Sequence, residues 1–302
     1  MEREEPLISV IVPTYQRSDL LPRALDSILA QTWSRVEVII ADDNVRGSEW
    51  EQKTDAVLKS YADRMHLIRL KTAGQTGGGA ARNLALQACR GEYVAFLDDD
   101  DRYLPDKLEK QVSFMKENNL DGSYHDVRWL NPDEKLVEYR RMDYTDDYST
   151  EGLLKAHILH SIAPTGIYMF RREALLKTAG FGEVPSGQDF ILMLRCIESG
   201  MKIAYLPGAY VIQYLHEGDR ISVGESKFRG ENALYQLKHR YFHLLTGGER
   251  QYVRFRHYAV LAFASLRGHQ PLRAAGYAAV TLACSPVSCA KEAIRYFGGR
   301  FK

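Results

Sequence analysis

Phe96-Leu97-Asp98-Asp99-Asp100-Asp101 is the stretch on which the fold turns. Four adjacent carboxylates repel one another, and burial sharpens the repulsion, so something cationic should compensate them. Tyr93–Leu97, directly before them, is a short apolar run that reads as a buried strand, which puts the acids at its carboxyl end. Hard divalent cations favour carboxylate oxygens, and Mg²⁺ or Mn²⁺ is typically shared with substrate phosphates. The plain alternative is a solvated turn leading into a helix at Pro105–Asn118, with Pro in its first turn. What favours the cation is the company these acids keep.

Upstream, strands and helices alternate. Leu7–Val12 is a short strand ended by Pro13. Ser18 can cap a helix whose stripe is Leu20, Leu21, Ala24, Leu25, Ile28 and Leu29. Val36–Ala41 is a second strand, ending in Asp42-Asp43-Asn44; Glu49–Ala62 reads as a helix and Met65–Leu70 as a third strand. Gly77-Gly78-Gly79 then opens a helix at Ala80–Cys89. Nearly continuous apolar strands separated by helices predict a Rossmann-like α/β fold, a mostly parallel sheet with helices on both faces. In such sheets the working polar groups gather beyond the carboxyl ends of the strands, and two acid clusters stand at such ends here.

Downstream the pattern is mixed. Gly122–Leu130 and Leu136–Arg141 read as a hairpin around Asn131-Pro132-Asp133. Ile167–Phe170, Ile203–Leu206 and the run around Val211–Leu215 read as strands, with a helix at Asp189–Ser199. After about residue 224 only helices are predicted: Phe228–Leu245, Arg250–Leu266, Leu272–Ala283 and Val287–Tyr296. The expected division is a catalytic domain at 1–224 and a C-terminal helical region at 225–302.

Bulk properties narrow the class. The chain has 302 residues, 45% hydrophobic and 26% charged, with a formal net charge of +1. That balance gives no global basic field for nucleic acid and no acidic excess for disorder. Cys89, Cys196, Cys284 and Cys289 form no CxxC pair, which reads as free thiols in a reducing cytoplasm. Met1–Pro6 lacks a signal-peptide core, and no segment approaches the roughly 18 uncharged apolar residues of a spanning helix.

Four further constellations offer chemistry. Asp42-Asp43 can accept hydrogen bonds from a ribose or a base imide, although Asp and Asn also favour turns on their own account. Thr76-Gly77-Gly78-Gly79 before Arg82-Asn83 lets backbone approach an anion at a helix start. A dinucleotide fingerprint follows the first strand, whereas this run follows the third. Asp189 stands in the first turn of its helix, where an N-cap and a general base are both open. His216-Glu217-Gly218-Asp219-Arg220-Ile221-Ser222 is a polar loop whose His and Arg suit a pyrophosphate and its metal.

Ile8–Tyr15, Leu25–Thr32, Glu37–Asn44, Ala81–Asn83 and Gly91–Asp101, in this order and separation, resemble family 2 glycosyltransferases with the GT-A fold. The resemblance covers about residues 7–222. It implies inverting transfer from a nucleoside-diphosphate sugar, UDP-linked for preference, with Mn²⁺ or Mg²⁺. By position it implies base and ribose contacts at Pro13 and Tyr15 and a uracil contact at Asp43 beside Asp42. It implies a ribose- or sugar-facing acid at Asp99, the first acid of the family's DxD motif at Asp98 in the donor site, metal ligation at Asp100, and a general base at Asp189. Gly77, Arg82, Asn83 and Arg220 join the donor site, and His216 is an extra metal ligand in some relatives only. Gln188 stands where the family often has Glu. The acceptor implied is a glycan or a lipid-linked hydroxyl in polysaccharide biosynthesis at the cell envelope. A nucleotidyltransferase is disfavoured because Val12-Pro13-Thr14-Tyr15 carries no basic signature loop; retention of Asp43, Asp100 and Asp189 disfavours a non-catalytic sugar-binding relative.

The tail interleaves Lys238, Arg240, Arg254, Arg256, Arg267 and Arg273 with Tyr241, Phe242, Tyr252, Phe255 and Tyr258. It reads as a packed helical cap, a homodimer contact, or a surface lying peripherally on the inner face of an anionic membrane. No RNA-binding motif accompanies the aromatics.

Overall fold

The computed structural model describes residues 5–215, 225–287, 289 and 290. Its first half is β1 (Ile8–Thr14), α1 (Leu21–Leu29), β2 (Val36–Asp42), α2 (Glu49–Tyr61), β3 (His66–Lys71), α3 (Gly78–Ala88) and β4 (Tyr93–Phe96). There follow β5 (Arg102–Tyr103), α4 (Lys107–Glu117), β6 (Gly122–Leu130), β7 (Leu136–Arg140), α5 (Thr150–His160), β8 (Met169–Arg171), α6 (Arg172–Leu176), α7 (Gln188–Glu198) and β9 (Ile203–Tyr214). The C-terminal helices are α8 (Glu225–His239), α9 (Gly247–Arg267) and α10 (Pro271–Cys284).

The nine strands form one sheet in the order β3-β2-β1-β4-β8-β6-β9-β5, with β7 on β6. β1 to β4 are parallel, as their continuous apolar character requires: Ile8, Val10, Ile11, Val12, Val38, Ile39, Ile40, Val94, Ala95 and Phe96 are all fully or almost fully buried. Beyond β4 the sheet becomes mixed, because β8 enters antiparallel between β4 and β6. β6 and β9 are again parallel. The carboxyl ends of β1, β2, β3, β4, β6 and β9 therefore lie along the same edge.

Several expectations need correcting. β1 does not stop at Pro13 but runs through it to Thr14. Thr14 accepts from Asp43 on the β2 side, so the missing N–H of Pro13 faces β4, whose pairing has already ended at Phe96. Ser18 does not cap α1; Leu20 occupies the cap position, and Pro22 stands in the first turn of the helix. Ile203–Leu206 and Val211–Leu215 are not separate strands. They are one long β9 carried across Pro207-Gly208 by register shifts against His125, Asp126 and Val127. α5 and the two-residue β5 were not foreseen. The expected helix Val287–Tyr296 and the loop His216–Ser222 fall at least partly outside the described residues.

The chain separates into two compact units. The first holds the sheet and its helices. The second combines Leu154–Ser161 and Val184–Gln188 with the residues from 225 onward, so two short segments from earlier in the chain belong with the C-terminal helices. Within the second unit Thr246 and Glu249 form a reciprocal cap at the start of α9. Tyr235 stacks on His257 at 3.9 Å, and Phe255 and Tyr241 are buried. The tail's aromatics are thus spent largely on packing.

Candidate functional site

Two polar clusters form at the carboxyl ends of β1 to β4. The first surrounds Asp43, just past β2. Its carboxylate accepts from the Thr72 hydroxyl, from Thr76 N at 2.9 Å and Thr76 Oγ1 at 2.7 Å, and from Gly77 N at 2.8 Å. Burial works to raise the Asp43 pKa, but these hydrogen bonds outweigh it and hold the carboxyl below its ordinary value. Three of these bonds converge on Oδ1 and one on Oδ2, so in this conformation the carboxylate organises the Thr72–Gly77 loop. Gly77 takes φ +90° as the N-cap of α3, a conformation that favours glycine, and this turns its N–H toward Asp43. Tyr15 stands opposite, its hydroxyl accepting from Gln75 Nε2 at 2.7 Å.

The second cluster is the acid run. Ligand oxygens of Asp98, Asp100 and Asp101 lie within 4.8 Å of one another. Three guanidinium groups attend it: Arg82 pairs with Asp98, Arg17 with Asp100 and, at 3.7 Å, with Asp99, and Arg23 donates to the Asp100 carbonyl at 3.2 Å. Asp101 accepts from Gln213 Nε2 at 2.8 Å and Tyr214 N at 3.1 Å, tying the cluster to the end of β9. Burial, then the neighbouring Asp100, pushes Asp99 up to about 7 against the pull of Arg17. Burial and the same acids raise Asp101 well above the carboxylate range. Burial works to lower Arg17, but Asp100, Asp99, Asp98 and Asp101 together keep it raised. Asp98, Asp100 and Asp101 together offer an all-oxygen donor set that suits a hard divalent cation, so the residues fit Mn²⁺ or Mg²⁺.

Asp189 stands in the first turn of α7, half-buried, with Oδ1 accepting from Phe190 N at 2.9 Å. Burial first, then the Asp189 charge, raises the buried Tyr168 hydroxyl. Tyr168 directly precedes Met169, which pairs with Ala95, so Tyr168 is level with Phe96, two residues before Asp98. The topology thus brings Asp189 to the edge of the sheet that carries the acid run.

Other expected residues face elsewhere. The Asp42 carboxylate is gripped by the Arg69 guanidinium and by Asn44 N and Nδ2, at 3.0 and 2.7 Å. Asn83 bridges the backbone of Phe181, donating to its carbonyl at 3.0 Å and accepting from its N–H at 2.8 Å. Phe181 in turn meets Phe96 edge-on at 5.4 Å and lies under Arg82. Pro13 is the last residue but one of β1, two before Tyr15, and His216 and Arg220 lie outside the described residues. Arg17, Arg23 and Thr72 were not singled out from the sequence, and Thr76 and Asp101 only as members of their runs; for Arg17 the only hint is a cation soon after β1 in a fold whose acids need one.

Among the described residues no helix is long and apolar enough to cross a membrane. Residues 9–178 match the family model for glycosyl transferase family 2. The chain is 29% identical over 206 residues to an uncharacterised glycosyltransferase of Methanocaldococcus jannaschii, covering 67% of this chain and 68% of that one. It is 38% identical over 127 residues to the putative teichuronic acid biosynthesis glycosyltransferase TuaG of Bacillus subtilis, covering 41% of this chain and 48% of TuaG. In three dimensions it resembles residues 1–349 of Staphylococcus aureus TarS in complex with UDP-GlcNAc. The TM-score is 0.64 at 18% identity, covering 90% of this chain and 89% of that one. It also resembles the mannosyltransferase PcManGT of Pyrobaculum calidifontis in complex with GDP-Man and Mn²⁺, with a TM-score of 0.54 at 20% identity, covering 99% and 83%.

Proposed function

This chain belongs to glycosyl transferase family 2 and has the GT-A fold, and on that premise we propose that it is an inverting glycosyltransferase taking its sugar from a nucleoside diphosphate, with UDP as the favoured carrier. The observation that carries the reading is the trio Asp98, Asp100 and Asp101, its oxygens within 4.8 Å of one another and flanked by Arg17 and Arg82. The nucleotide sugars and Mn²⁺ bound by TarS and PcManGT support it.

Residues 1–224 are taken as the transferase domain and 225–302 as a helical appendage. The Thr72–Gly77 loop, held by Asp43, and the Tyr15 ring make the nucleotide side; Asp43 acts there chiefly by fixing the loop. Asp98, Asp100 and Asp101 hold the divalent cation, with His216 as a further ligand. A Mn²⁺ or Mg²⁺ bound there supplies positive charge against which a departing diphosphate is stabilised. Arg17, Arg82 and Arg220 bind diphosphate oxygens by charge-assisted hydrogen bonds. Asp189 takes the proton of the acceptor hydroxyl, whose oxygen attacks the anomeric carbon opposite the leaving group and inverts its configuration. The likeness to TuaG, named for teichuronic acid biosynthesis, supports a glycan acceptor.

A thermal-shift panel of UDP-, GDP- and dTDP-sugars with Mn²⁺, followed by nucleotide release from the best binder, tests the reading. Stabilisation by one nucleotide class, with slow hydrolysis abolished by EDTA, is expected. No stabilisation by any donor with the metal present would remove the proposal.

A further inference from the structure

α10 is hydrophobic nearly all the way round: Arg273 is the one charged residue in its 14. A helix of that kind is normally buried on every side. This one packs through a single stripe, Ala274, Tyr277 and Thr281, against the cluster of Phe228, Tyr258 and Leu261. The remainder faces solvent. Leu272 is 90% exposed, and Val280 and Leu282 are exposed beside alanines.

Charge identifies what covers it. After residue 224 the chain has thirteen Lys and Arg against four Asp and Glu, although the whole chain is +1. The excess of nine positive charges is therefore confined to the segment that bears the apolar face, and Arg267 and His269 are exposed beside it. A second copy of the chain would set this excess against itself. A nucleic acid would match the charge but not the bare aliphatic side chains. An anionic lipid surface matches both, because aliphatic groups enter the acyl boundary while guanidinium groups stay among the headgroups.

We propose that the exposed face of α10 forms a docking surface for an anionic bilayer, with Leu272, Val280 and Leu282 entering the interface and Arg267 holding headgroup phosphates. The contact is aliphatic, and the tail's aromatics take no part in it. It is independent of the transferase reading, since it needs neither donor nor metal.

The full chain is floated on vesicles of equal parts phosphatidylcholine and phosphatidylglycerol, and on phosphatidylcholine alone. It should float with the first and not the second, and less as salt rises. Leu272→Asp and Leu282→Asp should each lower the bound fraction at least tenfold, and Arg267→Glu by about tenfold. These positions are exposed, so unchanged thermal transitions should accompany the losses. Three results would overturn the proposal: no flotation of the full chain on either vesicle; variants that float as well as the parent; or, in sedimentation, a dimer that Leu272→Asp dissociates without any vesicle binding.

Discussion

Replacing Asp43 by Asn tests whether that carboxylate holds the Thr72–Gly77 loop or waits for a ligand. Three donors converge on Oδ1 and one, Gly77 N, on Oδ2. An Asn side chain can present its oxygen at only one of these places. With the oxygen at the Oδ1 position, its NH₂ group faces the Gly77 N–H, donor against donor. One charge-assisted bond is lost and the remaining three become neutral; at about 1.5 kcal/mol for each bond to the charged acceptor, the low end for such bonds, and about 1 for a neutral one, the net cost is about 3 kcal/mol. For a domain of this size that lowers the melting temperature by about 6–12 °C. The pH profile adds a second readout. Because the folded pKa lies below the ordinary 3.8, the Asp43 contribution is complete above that value and is lost as pH falls through the folded one. The variant should lack this part of the acid limb. Differential scanning fluorimetry across pH and amide exchange at Thr76 and Gly77 measure both. A melting temperature within about a degree of the parent, with those amides equally protected, would refute the loop-holding role.

Three other outcomes follow from the same geometry. Asp189→Asn should lower sugar transfer by about 10²–10⁴ while UDP still binds, by calorimetry; parental turnover would exclude Asp189 as the base. Arg17→Met should tighten Mn²⁺ binding without nucleotide by about fivefold, because a partly exposed ion pair worth about 1 kcal/mol no longer competes for Asp100, and should weaken donor binding. Mn²⁺ affinity that falls instead would count against Asp100 as a ligand. Burial, and then Lys107, pulls the His125 pKa down to about 3, so the unfolded chain binds a proton the folded one refuses. Stability should fall with acidification below about pH 6.5, by about 1.4 kcal/mol per unit from this group, and His125→Gln should remove that slope between about pH 4 and 6 in urea titrations. An unchanged slope would mean that His125 titrates normally.

Local pattern in the sequence was enough for the alternating half of the fold. β2, β3, β4, α2 and the β6–β7 hairpin appear within a residue or two of expectation, because apolar runs and turn residues fix them locally. α5 escaped because Leu153, Leu154, Ala156 and Ile158 show no clear polar face opposite them. β9 was read as two strands because Pro207-Gly208 resembles a turn, and only pairing with β6 carries the strand across it. At the site, the acid run and Asp43 were legible as chemistry, but not which neighbour each would claim. Asp42 meets Arg69, 27 residues away, and Asn83 meets Phe181, 98 away. Partners at that range are selected by how strands and helices stack, and no local spacing encodes them.

At the other end of the sheet, Glu37 is wholly buried, accepting from Ser9 Oγ at 2.5 Å and from Arg90 N and Gly91 N at 2.7 and 3.2 Å. A Cβ on Gly91 would come within 2.6 Å of Ser9 N and 2.8 Å of the Leu7 carbonyl, backbone atoms that cannot step aside. In a saturation library this glycine should be among the positions least tolerant of change, scored by abundance alone, although it stands at the opposite end of the strands from the acids. The loops proposed to meet substrate are anchored elsewhere. Lineages can therefore exchange those loops and explore new sugars while this knot stays untouched, so drift in specificity need not erode the scaffold.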